Sequence, residues 1–86
     1  MPFEISPKFK RALRKKRPEF VAAILECIDR LDRDPTHPGL HTHRVQGTRG
    51  VWEAYVDDGN RVTFHYEEGR MVLRNHCHHD IVRTNP

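Results

Sequence analysis

The densest group of potentially reactive side chains lies near the end of the chain, in the segment Asn75-His76-Cys77-His78-His79-Asp80. It holds three of the seven histidines and one of the two cysteines. Imidazole, thiolate and carboxylate groups bind transition metals, and imidazole also carries protons in acid/base catalysis. The segment directly follows the apolar run Met71-Val72-Leu73, which places it at the end of a predicted strand. Its chemistry therefore depends on which side chains share a face of that strand.

Strand alternation divides this cluster. If the strand continues, Cys77 lies on the face opposite to His76 and His78. A zinc site is then disfavoured, and the chain has neither a Cys-x-x-Cys nor a His-Glu-x-x-His pairing to support one. A cysteine–histidine nucleophile is disfavoured because Cys77 belongs to the core-facing set. P-loop and dinucleotide fingerprints are absent, so we expect neither a metal nor a cofactor.

Two helices are predicted between a short first strand and the remaining strands. Ser6 is the N-cap of the first helix and Pro7 its first residue, and Pro18 is expected to end it. The second helix begins at Pro18 and stops by Asp34. Its apolar stripe, in which Cys27 is a core residue, follows the helical period and contains Phe20, Ala23, Ile24, Cys27, Ile28 and Leu31. Residues 35–39 are predicted to form a loop.

The strands have a period of two and are predicted over residues 3–5, 42–45, 51–57, 61–67 and 70–77. The 86 residues form one domain of α+β class. We expect a small antiparallel sheet with both N-terminal helices on one face, in the order β-α-α-β-β-β-β.

Matching like residues across the hairpins sets the register and the faces. We expect Val56 opposite Val62 and Tyr66 opposite Met71, with an ion pair between Asp57 and Arg61. The core face then contains Trp52, Ala54, Val56, Val62, Phe64, Tyr66, Met71 and Leu73. The other face contains Glu53, Tyr55, Arg61, Thr63, His65, Arg74, His76 and His78, a set without lysine and suited to binding phosphate and moving protons.

Cleavage of RNA without a metal fits this second face. The reaction needs a base for the 2′-hydroxyl, a cation beside the phosphorane and an acid for the leaving oxygen. The predicted proton carriers are Glu53, Tyr55, His65 and His78. The predicted phosphate-binding residues are Arg44, Arg61 and Arg74, with His76 beside them. A cross-strand pair between Glu53 and His65 is the structural alternative for that carboxylate.

The charge of +3 is unevenly distributed, because seven of the ten residues from Lys8 to Arg17 are Lys or Arg. This predicts a polyanionic or acidic protein partner, or simply a solvated helix face. With two cysteines, no secretory signal and no apolar run of membrane-spanning length, we expect a cytoplasmic protein with reduced thiols.

Four segments carry a family resemblance: Pro35-Thr36-His37-Pro38-Gly39-Leu40, Gly50-Val51-Trp52-Glu53-Ala54, Asn60-Arg61-Val62-Thr63-Phe64 and Cys77-His78-His79-Asp80-Ile81-Val82-Arg83. In this order they resemble the RelE/ParE toxin superfamily. The resemblance covers nearly the whole chain and implies the toxin of a type II toxin–antitoxin pair. It implies cleavage of mRNA on the ribosome, a cognate antitoxin in a hetero-oligomer, and no membrane.

The resemblance also implies roles for single residues. Arg61 matches an arginine that contacts the scissile phosphate, and His78 matches a catalytic histidine of some relatives. Glu53 lies near a glutamate base of one subgroup, and Arg44 matches basic residues before the glycine loop. His79 and Asp80 are the alternative catalytic pair. The basic residues implied to contact ribosomal RNA are Lys8, Lys10, Arg11, Arg14 and Lys15.

The terminal catalytic tyrosine of some members is absent from this chain. The alternative is therefore a non-nuclease of the same fold: a gyrase-directed toxin of the ParE type, or an antitoxin-binding protein that has lost catalysis.

Overall fold

The computed structural model describes residues 3–82 and 84–86. It contains the helices α1 (Pro7–Leu13) and α2 (Pro18–Arg33) and the strands β1 (Phe3–Ile5), β2 (His43–Arg44), β3 (Trp52–Tyr55), β4 (Asn60–Glu67) and β5 (Arg70–His78). Short 3-10 turns occupy Pro38–Leu40 and His79–Ile81. Arg83, the last residue of the C-terminal motif, lies outside the described residues.

The five strands form one sheet in the order β1-β5-β4-β3-β2. Strand β1 pairs with β5 in parallel, and the other neighbours are antiparallel. The predicted α+β class and the order of elements are confirmed. The sequence left the partner of β1 open, and its parallel pairing makes the sheet mixed.

The helix starts lie where capping chemistry predicts them. The Ser6 Oγ accepts a hydrogen bond from the Phe9 N–H at 3.2 Å, and Pro7 and Pro18 open the two helices. The prediction that Pro18 ends the first helix is wrong, because α1 already ends at Leu13. The chain tightens there into 3-10 bonds, from Lys15 N to Ala12 O at 3.2 Å and from Lys16 N to Leu13 O at 3.1 Å.

The core lies between the helices and one sheet face, as predicted. It consists of Phe9, Ile24, Cys27, Ile28, Leu31, Leu40, Ala54, Val62, Phe64, Met71 and Leu73. Burial of side chains of this size stabilises the fold by about 1.5–3 kcal/mol each for the larger aliphatic and aromatic residues. Phe20 begins the predicted stripe, but it remains 42% exposed at the edge of this core.

The register of the β4–β5 hairpin is confirmed, with Tyr66 opposite Met71 and Glu67 opposite Arg70. The β3–β4 register is wrong by two residues, since Ala54 pairs with Val62. The Asp57 carboxylate explains the shift, because it accepts hydrogen bonds at 2.9 Å from the backbone N–H groups of Gly59 and Asn60. A shift of two leaves every side chain on its predicted face of β3 and β4.

A β-bulge in β5 changes the faces of the residues after it. Phe64 pairs with Leu73 and Thr63 pairs with Asn75, so Arg74 is an extra residue on its strand. One extra residue inverts the alternation beyond it. The predicted faces of His76, Cys77 and His78 are therefore wrong. His76 lies opposite Val62 on the core side, Cys77 lies opposite Arg61 on the outer side, and His78 lies opposite Asn60, on the same side as Val62.

The chain after β5 covers part of the outer face. Val82 packs with Val45, Val51 and Cys77 in a small second cluster. Further along, Pro86 O accepts a hydrogen bond from the Thr63 hydroxyl at 2.9 Å. Asn85 accepts hydrogen bonds from Asn75 Nδ2 to its carbonyl oxygen and from Lys8 Nζ to its Oδ1, both at 2.8 Å. Within the described residues, none of the helices has the length and apolar character that crossing a bilayer requires.

Candidate functional site

A cleft of about 340 Å³ on the outer face lies over β2, β3 and β4. The turn after β5 closes one side of it. Its lining residues are His43, Arg44, Val45, Gln46, Glu53, Tyr55, Arg61, His79 and Val82. Four predicted proton-carrying or phosphate-binding residues thus line the same cleft: Arg44, Glu53, Tyr55 and Arg61. His79, predicted as an alternative catalytic residue, lines it too. We refer to this as the β3–β4 cleft.

Arg61 is the most firmly held residue of the β3–β4 cleft and is only 6% exposed. Its Nη1 donates hydrogen bonds to the backbone carbonyls of Asp57 at 2.7 Å, Asn60 at 3.0 Å and Asp58 at 3.1 Å. Its Cζ lies 3.5 Å from the centre of the Tyr55 ring, in cation–π geometry. These contacts fix a positive charge at the wall of the cleft.

The predicted ion pair between Asp57 and Arg61 is not formed, since the guanidinium binds the backbone carbonyls of the turn instead. The Asp57 carboxylate turns toward Gly59 and Asn60. Its slight burial acts to raise its pKa, but the hydrogen bonds from Asn60 and Gly59 outweigh this and lower the pKa below its ordinary value. Asp57 therefore shapes the turn, and Arg61 keeps a charge that no carboxylate in the described chain neutralises by direct contact.

Glu53 pairs with His43 rather than with His65. His43 lies opposite Glu53 in the β2–β3 ladder, and its Nε2 is 2.6 Å from Glu53 Oε1. Its Nδ1 lies 2.7 Å from the carbonyl oxygen of His41. Both ring nitrogens thus face acceptors, so each contact needs its own proton. Either His43 carries both protons, or Glu53 carries one and donates it to Nε2. The proton between the two groups can pass from one to the other without rearrangement of the heavy atoms.

The sequence did not identify His43 as a site residue. Strand β2 has only two residues, which is too short for a periodic signal. The available signal was the position of His43 in the predicted strand 42–45, because a strand paired with β3 places some residue opposite Glu53.

His79 is the histidine that reaches the β3–β4 cleft from the other side. Its Nδ1 lies 3.1 Å from Asp80 Oδ1, and its backbone N–H donates to Gly59 O at 2.9 Å. The His78 ring stacks against that of His79, with centroids 4.3 Å apart. His78 Nδ1 lies 3.3 Å both from the Asp80 N–H, which it accepts when neutral, and from Asp80 Oδ2, to which it donates when protonated. His78 and Asp80 do not line the cleft themselves.

Three other predicted residues lie outside the β3–β4 cleft. Arg74 Nη1 donates to His65 Nδ1 at 3.0 Å, and His65 Nε2 is 3.3 Å from Glu67 Oε2. These two residues line a separate depression of about 210 Å³ with Ser6, Lys8, Val72 and Pro86. His76 is buried at 4% exposure and packs edge-on against Phe9, with ring centroids 4.7 Å apart.

Burial lowers the pKa of His76 below its ordinary value. The charge of Lys16 lowers it further, and the backbone of Phe9 acts in the opposite direction. Neither ring nitrogen makes a hydrogen bond of normal geometry within the described chain. His76 is therefore a neutral core residue in the fold.

The remaining predicted nucleic-acid contacts are more peripheral. The Arg44 guanidinium stacks over the Trp52 ring, 5.2 Å from its centroid, although the residue also lines the cleft. The basic residues of α1 and the turn after it are exposed, and none of them lines the β3–β4 cleft; they are Lys8, Lys10, Arg11, Arg14 and Lys15.

Cys77 lies on the outer face but has the character of a buried thiol. Burial raises its pKa, as does the nearby Glu53 carboxylate, while Lys16 and Lys8 act in the opposite direction. A thiol with a raised pKa is a poor nucleophile. The sequence also disfavoured Cys77 as a nucleophile, but on the ground that it faces the core. Cys27 is a core residue, as predicted, and burial raises its pKa to about 12.

A group of ligand atoms suited to a metal ion lies at the end of β5. One atom each from His78, His79 and Asp80 falls within 4.8 Å of the others, and all three residues are exposed. Two imidazoles and a carboxylate match the preferences of zinc and neighbouring divalent ions.

Comparison with known proteins identifies solved structures of the same fold. No protein-family model matches the sequence, and no curated protein matches it. Among solved structures, YafQ from E. coli strain BL21(DE3) aligns with a TM-score of 0.76 at 12% identity, over 93% of this chain and 94% of that one. The YoeB/ParE toxin from Agrobacterium tumefaciens aligns with a TM-score of 0.74 at 15% identity, over 92% and 99%.

A third solved structure is the toxin–antitoxin complex RelBE2 from Mycobacterium tuberculosis, with a TM-score of 0.72 at 18% identity over 90% of this chain and 95% of that one. All three alignments extend over nearly the full length of both chains. Similarity at these identities establishes the architecture. The chain shares the fold of these three solved structures, as the resemblance implied.

Proposed function

We propose that the protein is the toxin of a type II toxin–antitoxin pair and that it cleaves ribosome-bound mRNA without a metal. The observation that carries this proposal is the β3–β4 cleft, in which a fixed guanidinium, a carboxylate–imidazole pair and a second imidazole converge. These groups supply the cation, base and acid that the reaction needs. The fold shared with YafQ, YoeB/ParE and RelBE2 is consistent with the toxin role.

We assign the base to the Glu53–His43 pair. It takes the proton of the 2′-hydroxyl, whose oxygen attacks the adjacent phosphorus. Arg61 offsets the extra negative charge on the phosphorane, and Tyr55 beneath the guanidinium keeps it in place. His79 then donates a proton to the departing 5′-oxygen. The products are a 2′,3′-cyclic phosphate and a 5′-hydroxyl.

His79 takes the acid role in this scheme because it lines the β3–β4 cleft and His78 does not. His78 and Asp80 are then positioning residues. Asp80 lies 3.1 Å from His79 Nδ1, which leaves Nε2 for the substrate, and the stacked His78 ring restricts rotation of His79. Arg74 and His65 lie outside the cleft, and we assign them contacts to the RNA backbone.

The partner we propose is a cognate antitoxin. The mycobacterial structure of the same fold is a toxin–antitoxin complex. Seven basic residues between Lys8 and Arg17 form a surface that complements an acidic segment, and exposed Phe20 beside them offers an apolar anchor. Binding of such a segment makes a hetero-oligomer.

One observation favours the non-nuclease alternative, a gyrase-directed toxin or an inactive antitoxin-binding protein. Arg61 is nearly buried, and Nη1 is used entirely by the turn between β3 and β4. A guanidinium in this position also serves a purely structural role.

Controlled expression in bacteria distinguishes the two functions. Wild type is compared with Arg61→Lys, which keeps the charge but loses the planar fork, and with Glu53→Gln. Arg70→Lys is the matched control, because Arg70 is exposed on β5 and its nearest carboxylate is Glu4, 3.9 Å away. We expect growth arrest and cleaved transcripts with wild type and Arg70→Lys only. If growth arrest persists unchanged in folded Arg61→Lys and Glu53→Gln variants, the nuclease assignment is wrong. A gyrase supercoiling assay would then test the alternative.

A further inference from the structure

We infer that His78, His79 and Asp80 form a binding site for a divalent transition-metal ion of the zinc, nickel and copper class, and that its occupation inhibits the protein. The inhibitory part rests on the proposed nuclease function, whereas the binding part does not. The metal is a ligand that blocks the site and takes no part in cleavage.

The site exists because the chain turns sharply after β5. Along a continued strand, His78 and His79 would lie on opposite faces and could not bind one ion together. Strand β5 ends at His78, and the 3-10 turn His79–Ile81 brings the two rings together, with centroids 4.3 Å apart. Adjacent residues thereby acquire the spacing of ligands.

Each imidazole already lies at ligand-to-ligand distance from one oxygen of the Asp80 carboxylate, and all three groups fall within 4.8 Å of one another. Asp80 Oδ2 lies 3.3 Å from His78 Nδ1, and Asp80 Oδ1 lies 3.1 Å from His79 Nδ1. Ligands bound at the usual zinc–nitrogen and zinc–oxygen distances in a tetrahedron are separated by about 3.3 Å. A metal ion among these atoms replaces the protons that the imidazoles otherwise share with the carboxylate.

The backbone around these residues is held in place. The His79 N–H donates to Gly59 O at 2.9 Å, and His78 is still paired with Asn60 in the ladder. The Asp80 N–H contact to His78 Nδ1 is long, at 3.3 Å, and exposed, so water replaces it when a metal takes that nitrogen. Little reorganisation is required.

The composition of the site selects the class of ion. Two imidazoles and one carboxylate favour borderline divalent ions over magnesium and calcium, which prefer oxygen ligands alone. The side chains are 49–71% exposed, so the ion enters freely and retains water in its remaining positions. The expected affinity is therefore that of an open, three-ligand surface site.

Inhibition follows from the position of His79, which faces both the metal site and the β3–β4 cleft. An imidazole bound to a metal through Nδ1 is held in one orientation and keeps a cation beside the cleft. The ion also takes the Asp80 oxygen and the His79 Nδ1 that otherwise contact each other, so it replaces the contact that positions His79 for the leaving oxygen.

The test is calorimetric titration of ZnCl₂ into the full chain, with MgCl₂ as the hard-ion control. All proteins carry Cys77→Ser, so that the half-buried thiol does not compete for zinc. We expect one zinc ion per chain. Loss of a residue that only supports a metal ligand typically weakens metal binding by about 10–100-fold. His78→Ala, His79→Ala and Asp80→Ala each remove a ligand itself, so each should weaken zinc binding by at least about tenfold. His37→Ala, which removes an exposed histidine of the loop before β2, should leave the affinity unchanged.

His43→Ala serves as the second control, since His43 and Glu53 are the rival ligands in the cleft. No saturable zinc binding, binding unaffected by the three site variants, or binding lost in His43→Ala would each overturn the site. Circular dichroism confirms that every variant is folded.

Zinc should also inhibit mRNA cleavage by the wild type over the concentration range in which it binds. Full cleavage at saturating zinc would overturn the inhibitory part. A chain that binds zinc but never cleaves RNA contradicts the proposed function, and the calorimetric result for the site stands apart from it.

Discussion

The two depressions on the outer face contain the same types of residue in different electrostatic arrangements. In the β3–β4 cleft, His43 lies between two acceptors, the Glu53 carboxylate and the His41 carbonyl. In the depression beside β5, His65 lies between a donor and an acceptor, Arg74 and Glu67. In the first arrangement both ring nitrogens face oxygen acceptors, whereas in the second Nδ1 faces the Arg74 donor and Nε2 faces the Glu67 acceptor.

The two arginines differ in the same way. Arg61 is fixed by backbone carbonyls and an aromatic ring at the wall of the β3–β4 cleft, where the proposal has its charge face a phosphate. Arg74 uses its guanidinium on His65 and on Pro86 O, which lies 3.4 Å from its Nε. The comparison teaches that residue type does not define a site. The partners of each group decide whether it is free to act on a substrate.

The largest expected effect contrasts the two arginines. Arg61→Ala should reduce cleavage of ribosome-bound mRNA by about 10²–10³-fold, because it removes the cation at the phosphorane. Arg74→Ala should change it by less than about tenfold, the cost of one backbone contact. Initial cleavage rates of purified proteins measure both, and thermal unfolding shows whether loss of the turn contacts at Arg61 has unfolded the chain. Equal losses in the two folded variants would remove the distinction between the regions.

The next effect contrasts two carboxylates. Glu53→Gln keeps the shape of the side chain but cannot take a proton, so cleavage should fall by about 10²-fold or more. Glu67→Gln makes the same chemical change beside His65 and should leave cleavage within a few-fold of wild type. Single-turnover rates at saturating ribosome separate the chemical step from binding. A Glu67 effect as large as that of Glu53 would mean that the base lies beside β5.

A third prediction concerns His76, which belongs to neither region. Its folded-state pKa is lowered, so the unfolded state binds more protons once the pH falls below the ordinary value of about 6.5. The free energy of unfolding should then fall with decreasing pH, by at most about 1.4 kcal/mol per pH unit, until the pH passes the lowered pKa of the folded state. Neighbouring Lys16 strengthens this effect.

Urea unfolding at pH 7 and pH 5 measures this loss. His76→Leu removes the titratable ring and keeps an apolar side chain in the core, so it should flatten the pH dependence. His37→Ala removes an exposed histidine and should retain it. A His76→Leu variant that loses stability with acid as steeply as wild type would show that other groups cause the effect.

The smallest expected effect is that of Cys77→Ser. The thiol lies on the cleft side of the sheet, but burial raises its pKa and it packs against Val82 and its neighbours. Cleavage should therefore remain within about threefold of wild type, the size of a minor packing change. The same rate assay provides the measurement. A loss of cleavage comparable to that of Arg61→Ala would show that the Cys77 thiol takes part in the reaction.

The sequence was sufficient where a periodic pattern or a cap defines the element. The stripe of α2, the caps at Ser6, Pro7 and Pro18, and the β4–β5 turn at Glu68-Gly69 were all identified correctly. These features depend on local chemistry that a few neighbouring residues specify. They also placed Glu53, Tyr55 and Arg61 on one face.

The sequence was insufficient where one residue changes the geometry. The bulge at Arg74 leaves no periodic trace, because histidine and cysteine are both compatible with either face of a strand. His76 was consequently assigned to the outer face and Cys77 to the core. The pair of His43 with Glu53 depends on a two-residue strand, and the covering of the outer face depends on hydrogen bonds between residues distant in the chain.

The central claim is that the β3–β4 cleft cleaves RNA by acid/base chemistry without a metal. Analysis of the RNA ends produced from ribosome-bound mRNA tests it most directly, with protein that has been treated with excess EDTA and then freed of the chelator before it meets the ribosome. We predict 5′-hydroxyl and 2′,3′-cyclic phosphate ends with wild-type protein and cleavage reduced by about 10²-fold or more with Glu53→Gln. Cleavage that EDTA abolishes, or products with 5′-phosphate ends, would contradict the claim.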